Sequence, residues 1–308
     1  MRLIFIGSGE IGVPTLEGLA RAHEVCAVFT RPDRPAGRGQ RPQPTPIKEA
    51  ALKLGLPLYQ PESVKLPESL ELIRGLEPEL IVVAAYGEIL SKELLSIPKR
   101  GAINLHASLL PKYRGAAPVQ WAIIRGEKET GITTFLMDEG MDTGEILVQR
   151  AIPIEEEDTA GSLYAKLAQL GAEVMLATLE GLERGTLKPR PQDHSQATYA
   201  PKIKKEMGQL DWAKPSRELF NLIRGLNPDP GAFTFFRGKR LKVHRSRVIP
   251  GEFPGSPGEV VDVKSGLIVK AGDGALELLE VQPEGKKRMS GPDFVRGYRV
   301  AKGERLGQ

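Results

Sequence analysis

The sequence predicts an α/β protein: a mostly parallel sheet with helices on both faces, followed by a small β-barrel domain. Three observations carry this. Apolar runs of strand length alternate with amphipathic runs of helix length as far as Gly185. Several strand-like runs are apolar without interruption, as strands buried on both faces are. After Gly185 the alternation stops, and short β-prone runs between glycine turns take over.

Residues 2–7 form an apolar run ending in Gly7, a buried first strand. Ile11, Leu16, Leu19 and Ala20 give residues 11–21 a helical stripe. Residues 24–30, rich in Val and Phe, make the second strand. Residues 35–46 hold Pro, Gly and Arg without periodicity and are expected to be a loop. Thr45-Pro46 then opens a helix that ends at Gly55: Thr accepts an orphan N–H, and Pro suits the first helical position. Residues 79–86, with Leu80-Ile81-Val82-Val83-Ala84-Ala85, form a buried strand, and residues 102–106 another. A helix at 119–125, strands at 132–137 and 146–154, and a long amphipathic helix at 162–184 complete this part. Such sheets bind ligands beyond the carboxyl ends of their strands.

Residues 186–207 carry Pro189, Pro191 and Pro201 without periodicity and are expected to link two domains. A short helix follows at 219–226. Strands are expected at 232–236, 241–243, 259–263, 267–270 and 275–279, with turns at Arg237-Gly238, Ser265-Gly266 and Gly272-Asp273-Gly274. This pattern fits a five-stranded barrel of the oligonucleotide-binding type. The division expected is a catalytic domain at 1–187, a linker at 188–206 and a barrel domain at 207–308. Charge separates the same way. Residues 205–308 carry 19 Lys and Arg against 13 Asp and Glu, a net of +6, while residues 1–204 carry a net of −2. A basic domain behind a near-neutral body suits a polyanion-binding appendage.

Composition excludes some classes. No apolar run is long enough to span a bilayer. The N-terminal residues read as a strand rather than a signal peptide. Cys26 is the only cysteine, so neither an intrachain disulfide nor a cysteine zinc cluster can form. His23, His106, His194 and His244 are far apart in sequence, and no metal site is expected. The expected compartment is the cytosol. The expected state is a monomer, since no exposed apolar helix stands out.

Gly7-Ser8-Gly9-Glu10-Ile11-Gly12 matches the dinucleotide pattern G-x-G-x-x-G after a strand. The acid that should meet a ribose hydroxyl is missing at the end of strand two, where Val28-Phe29-Thr30-Arg31 stands. A tight strand-to-helix turn favours the same glycines without a cofactor, and no nicotinamide is expected.

Two segments carry chemistry. In Asn104-Leu105-His106-Ala107-Ser108-Leu109-Leu110-Pro111-Lys112-Tyr113-Arg114-Gly115, Asn104 and His106 are two apart at a strand end and face one way. An Asn donor beside a His can hold an oxyanion and move a proton. In Met137-Asp138-Glu139-Gly140-Met141-Asp142-Thr143-Gly144, an Asp can orient His106 and stabilise its imidazolium form. Taken singly, each has a plainer reading: a satisfied core histidine, and an Asp in a hairpin turn.

Together they resemble the 10-formyltetrahydrofolate-dependent formyltransferase superfamily, whose signature is Asn-x-His-x-Ser-Leu-Leu-Pro with a later Asp-x-Gly loop. The resemblance implies a Rossmann-like sheet and a catalytic trio of Asn104, His106 and Asp142. It implies folate contacts from Tyr86, Gly87, Ile89, Leu90, Ser108, Leu109, Leu110 and Pro111. Sugar-nucleotide formyltransferases share this core motif. Pro32-Asp33-Arg34-Pro35-Ala36-Gly37-Arg38-Gly39 is similar to a loop of the methionyl-tRNA formyltransferase family, where it wedges into the tRNA acceptor stem and Arg38 is the matching arginine. A Pro/Gly loop with arginines at 31, 34, 38 and 41 also suits phosphates and unpaired bases. Asp211-Trp212, Asn227-Pro228 and Gly285-Lys286-Lys287 resemble the family's second domain.

The resemblance implies initiator methionyl-tRNA and 10-formyltetrahydrofolate as partners. The tRNA contacts expected are Arg34, Arg38, Arg41, Lys202, Lys204, Lys205, Arg237, Lys239 and Arg240, with Lys242, Arg245 and Arg247 nearby on the barrel. The chain departs from the family at Gly7-Ser8-Gly9-Glu10-Ile11, where Gly-Thr-Pro-Glu/Asp-Phe is usual, and at the less basic Gln40-Arg41-Pro42-Gln43. Three alternatives make different predictions: an amino-sugar-nucleotide formyltransferase, a nicotinamide oxidoreductase built on Gly7, Gly9 and Gly12, and a noncatalytic RNA-binding protein.

Overall fold

The structure, a computed structural model, describes residues 1–36 and 41–307. The chain forms two compact units. The first comprises Met1–Pro118, Glu129–Pro153 and Tyr164–Pro201; the second comprises Val119–Lys128, Ile154–Leu163 and Lys202–Gln308. No helix among the described residues is long and apolar enough to cross a membrane.

Eleven strands belong to the first unit among the described residues: β1 (Arg2–Gly7), β2 (Glu24–Phe29), β3 (Arg34–Ala36), β4 (Arg41–Gln43), β5 (Leu58–Tyr59), β6 (Leu80–Ala84), β7 (Ala102–His106), β8 (Arg114–Gly115), β9 (Glu129–Leu136), β10 (Ile146–Pro153) and β11 (Tyr199–Ala200). Helices α1 (Val13–Ala22), α2 (Pro46–Lys53), α3 (Pro67–Gly75), α4 (Lys92–Leu95), α5 (Pro118–Ile124) and α6 (Ala160–Glu183) lie between them in sequence. The main sheet has the order β10-β9-β7-β6-β1-β2-β5. β5, β2, β1, β6 and β7 are parallel; β9 runs against them, and β10, antiparallel to β9, runs with them again.

The alternation of side chains fixes what each face covers. Ile4, Ile6, Ile81 and Val83 pack with Leu70 and Ile73 of α3 and Leu94 of α4. On the opposite face, a Cβ at Gly12 would lie 3.2 Å from the Phe5 ring, and one at Gly171 of α6 would lie 2.9 Å from Leu105. Helices therefore cover both faces. The strand order reverses beside β1, with β2 on one side and β6 on the other, so the crevice beyond their carboxyl ends is the expected binding place.

Two expectations are corrected here. Residues 35–46 are not a plain loop: β3 and β4 pair antiparallel, with Arg34 opposite Gln43. Residues 188–206 are not a free linker. Arg190 bridges Ile146, β11 pairs with β8, and residues up to Pro201 belong to the first unit. Backbone groups must find partners, and here a proline-rich stretch finds them along the edges of existing elements.

In the second unit, α7 (Ser216–Gly225) precedes β12 (Ala232–Phe236), β13 (Lys239–Ile249), β14 (Val260–Asp262), β15 (Ile268–Lys270), β16 (Ala275–Pro283) and β17 (Met289–Ser290), and α8 (Gly291–Tyr298) follows. The strands run β12-β13-β16-β15-β14. The C-terminal segment then closes the sheet on itself, because Leu306 bridges Phe236 of β12 while Arg305 bridges Glu259 beside β14. Leu219, Ile223, Leu241, Val243, Leu276, Leu278 and Phe294 fill the interior. Arg237 and Gly238 both have positive φ (50° and 72°), which lets a two-residue turn join β12 to β13. Two segments from before residue 164 also belong to this unit. One of them is held by Arg224, whose Nη1 donates to Glu155 O (3.0 Å) and Asp158 O (3.3 Å).

Candidate active site

β7 ends in Asn104-Leu105-His106. Leu105 turns towards α6, and Asn104 and His106 turn the other way. Register sets Asn104 between Val83 of β6 and Phe135 of β9. Among the described residues the Asn104 amide has no hydrogen-bond partner, so both its donor and its acceptor can serve a ligand.

His106 is buried, at 6% exposure. Its Nε2 lies 2.9 Å from Tyr113 O. A carbonyl only accepts, so Nε2 donates and carries the hydrogen. Nδ1 is left 3.7 Å from Asp142 Oδ2, within ion-pair reach but too far for a hydrogen bond. Asp142 Oδ2 also accepts from Gly115 N–H at 2.8 Å.

The Asp142 backbone has φ +54°, in the left-handed region that Asp tolerates better than most residues. Two residues on, Gly144 is required, because a Cβ there would stand 1.7 Å from Leu136 O. The loop can fold back onto β9 only with glycine at that point.

A cavity of about 400 Å³ opens beyond the carboxyl ends of β6 and β7. It brings together Asn104, His106 and Asp142, and Tyr86, Gly87 and Ile89 line it too. Its walls include Ile11, Val83, Ala85, Ala107, Met137 and Met141, with Glu88 and Asp138 as further polar groups. Its size and mostly apolar lining are those of a small-molecule site.

Leu90, Ser108, Leu109, Leu110 and Pro111 do not line this cavity. Leu90 and Leu110 are spent in the core. Ser108 Oγ donates to Lys112 O (2.6 Å), Leu110 N donates to Thr133 Oγ1 (3.1 Å), and Gln149 Nε2 donates to Leu110 O (2.7 Å). The segment is a brace that carries the Tyr113 carbonyl to His106. Sequence reasoning missed Tyr113, Gly115 and the residue behind the Asp142 loop, Gln192, whose Nε2 donates to Asp142 O (2.9 Å) and Gly144 O (2.7 Å). Tyr113 and Gly115 act through backbone atoms, which leave no mark in side-chain type.

Arg31, counted above among the loop arginines, is committed elsewhere. Its Nε donates to Tyr86 O (2.9 Å) and its Nη2 to Gly87 O (2.6 Å). It thereby fixes the cavity wall. Burial first, and the charge of Glu88 next, push the Tyr86 hydroxyl up to about 12, so it stays un-ionised. The glycines of the first loop serve close packing: a Cβ at Gly7 would lie 2.6 Å from Ala84 O, and one at Gly9 2.8 Å from Ala85 Cβ. Among the described residues no group of three or more His, Cys, Asp or Glu side chains is placed to hold a metal ion.

Of the expected RNA contacts, Arg34 is exposed, while Arg38 and the Arg41 side chain lie outside the described residues. Lys202, Lys204 and Lys205 are exposed. Arg237, Lys239 and Arg240 line a cleft of about 320 Å³ with Lys286, Phe236 and Tyr298. Some of the barrel cations already have acids beside them: Arg237 pairs with Glu304, Arg245 with Glu157 and Arg247 with Glu277. The Arg240 guanidinium sits 3.6 Å above the Phe233 ring.

Comparison with known proteins agrees with the fold. The family described as Formyl transferase matches residues 1–179, and its C-terminal domain matches residues 202–299. An N-formyltransferase from Helicobacter canadensis, solved with folinic acid and dTDP-3-aminofucose, shares the fold at a TM-score of 0.67 and 21% identity, over 93% of this chain and 99% of that one. The class is thus that of the formyl transferases. Methionyl-tRNA formyltransferase of Solibacter usitatus is 50% identical over 100% of this chain and 99% of its own length. The enzyme of the same name from Caldanaerobacter subterraneus is 51% identical over 98% and 99%. The chain belongs to the methionyl-tRNA formyltransferase family.

Proposed function

We propose that the chain transfers the formyl group of 10-formyltetrahydrofolate to the α-amino group of methionyl-initiator tRNA. One observation carries the chemistry: a single cavity holds an unengaged Asn104 amide, a His106 ring with Nδ1 turned to a carboxylate, and Asp142. Full-length identity of about half to methionyl-tRNA formyltransferases supports the choice of acceptor.

In this reading the neutral amine nitrogen attacks the formyl carbon, forming a C–N bond and a tetrahedral oxyanion. Asn104 and the protonated His106 ring hold that oxyanion. His106 Nδ1–H then gives its proton to N10 as the bond from the formyl carbon to N10 breaks, and the emptied Nδ1 takes the proton that the former amine nitrogen loses. His106 Nδ1 serves these proton movements, because the bond to Tyr113 occupies Nε2. Asp142 stands opposite Nδ1 with a balancing charge. The apolar walls exclude water that would otherwise compete for the formyl group. On the RNA side, Arg34, Arg38 and Arg41 meet the acceptor end. Lys202, Lys204 and Lys205, with Arg237, Lys239 and Arg240, meet stem phosphates.

The test mixes the protein with 10-formyltetrahydrofolate and charged initiator tRNA and looks for formylmethionine. Product on the tRNA is expected. Its absence, together with product on an amino-sugar nucleotide, would transfer the proposal to that acceptor.

A further inference from the structure

We infer that Gln192 is a positioning residue for the transfer step, tying the Asp142 loop to residues 113–115 and so setting how Asp142 meets His106. The inference rests on the catalytic reading of His106 and Asp142 given above.

Gln192 is 6% exposed and uses its whole carboxamide. Nε2 donates to two carbonyls of one loop, Asp142 O at 2.9 Å and Gly144 O at 2.7 Å. Oε1 accepts from Arg114 Nη2 at 2.6 Å. A flipped amide would set an oxygen against two carbonyls and a nitrogen against a guanidinium, so only this orientation is satisfied.

Arg114, at 2% exposure, lies between the two groups that hold the catalytic pair. On one side the Tyr113 carbonyl accepts from His106 Nε2. On the other the Gly115 N–H donates to Asp142 Oδ2. The Arg114–Gln192 bond therefore closes a ring. Gln192 holds the Asp142 main chain, Gly115 holds its carboxylate, and Tyr113 holds the facing imidazole. Asp142 needs this, because a non-glycine residue at φ +54° persists only where its surroundings over-determine it. With Gln192 removed, the half-buried Asp142 carbonyl and the buried Gly144 carbonyl lose their donor. The Asp142 backbone is then free to relax and carry its carboxylate away from His106.

The substitutions Gln192→Met and Gln192→Glu separate shape from hydrogen bonding. Met keeps length and removes every hydrogen bond. Glu keeps an acceptor for Arg114 but offers the loop no donor. Both variants are expected to lose about 10- to 100-fold in kcat, the scale that small misplacements of reacting groups produce. KM for either substrate should change by less than about threefold. Combining Gln192→Met with Asp142→Ala should cost nothing beyond Asp142→Ala, since the group being positioned is already gone. Melting temperature is followed alongside to establish that each variant is folded. A kcat within about twofold of the parent in folded Gln192→Met, or losses that multiply in the double variant, would overturn the inference. An inactive parent protein would overturn the functional reading and this inference with it. An active parent beside an undiminished Gln192→Met variant overturns this inference alone.

Discussion

Asp142 shows how much of the site depends on backbone. Its left-handed conformation aims the carboxylate at both His106 Nδ1 and the Gly115 N–H. Asp142→Asn keeps a side chain that tolerates this conformation and an oxygen for Gly115, but removes the charge. It should lose nearly as much activity as Asp142→Ala while retaining more thermal stability. Equal activity in Asp142→Asn and the parent would mean that the charge is idle. Gly144→Ala should destabilise by roughly 1–3 kcal/mol in thermal melts, because its Cβ would collide with Leu136 O. A melt unchanged from the parent would contradict that. Asn104, His106 and Asp142 were legible in the sequence because a strand end and an acidic glycine loop carry side-chain signals. Gln192 was not, since it lies 50 residues beyond Asp142 in a proline-rich stretch and meets it only through the fold.

Elements were legible where apolar periodicity or caps set them. Thr45 accepts from Lys48 N at 3.1 Å, as the Thr45-Pro46 cap requires, and Thr45→Ala should cost about 1 kcal/mol in unfolding experiments. The β3–β4 hairpin was not legible, because Pro, Gly and Arg give no alternating apolar face and its pairing is made by backbone groups. β13 runs from Lys239 to Ile249, beyond the 241–243 that apolar alternation marks: past Val243 its buried positions are the polar His244 and Ser246, and the register shifts there. On the same strand, His244 is buried, with Nε2 3.1 Å from Gln282 Oε1. Burial above all holds its imidazole below the usual value near 6.5, the hydrogen bond that Nε2 donates to Gln282 Oε1 opposing it. The unfolded chain thus takes up a proton near pH 6.5 that the folded barrel refuses until lower pH. Stability is present above pH 6.5 and is lost as pH falls through the lowered folded value. Urea melts of His244→Gln should be flatter than the parent's between about pH 7.5 and 5.5; an unchanged slope would show that His244 does not titrate on unfolding.

At the scale of the whole molecule, the chain divides into two compact units whose path is less simple than two consecutive blocks of sequence. Two segments before residue 164 count with the barrel unit, and no periodicity announces them. The closure of the barrel by Arg305 and Leu306 was equally invisible, being two backbone bridges at the end of the chain. The net +6 of residues 205–308 predicts that affinity for charged tRNA falls steeply as salt rises. Affinity that is flat across salt would remove the barrel from the RNA interface.

The central claim is that His106 does the proton work of formyl transfer inside the cavity it shares with Asn104 and Asp142. Single-turnover transfer from 10-formyltetrahydrofolate to charged initiator tRNA by a folded His106→Ala variant tests it most directly. The account predicts a rate at least about a hundredfold below the parent's. A rate near the parent's would contradict it.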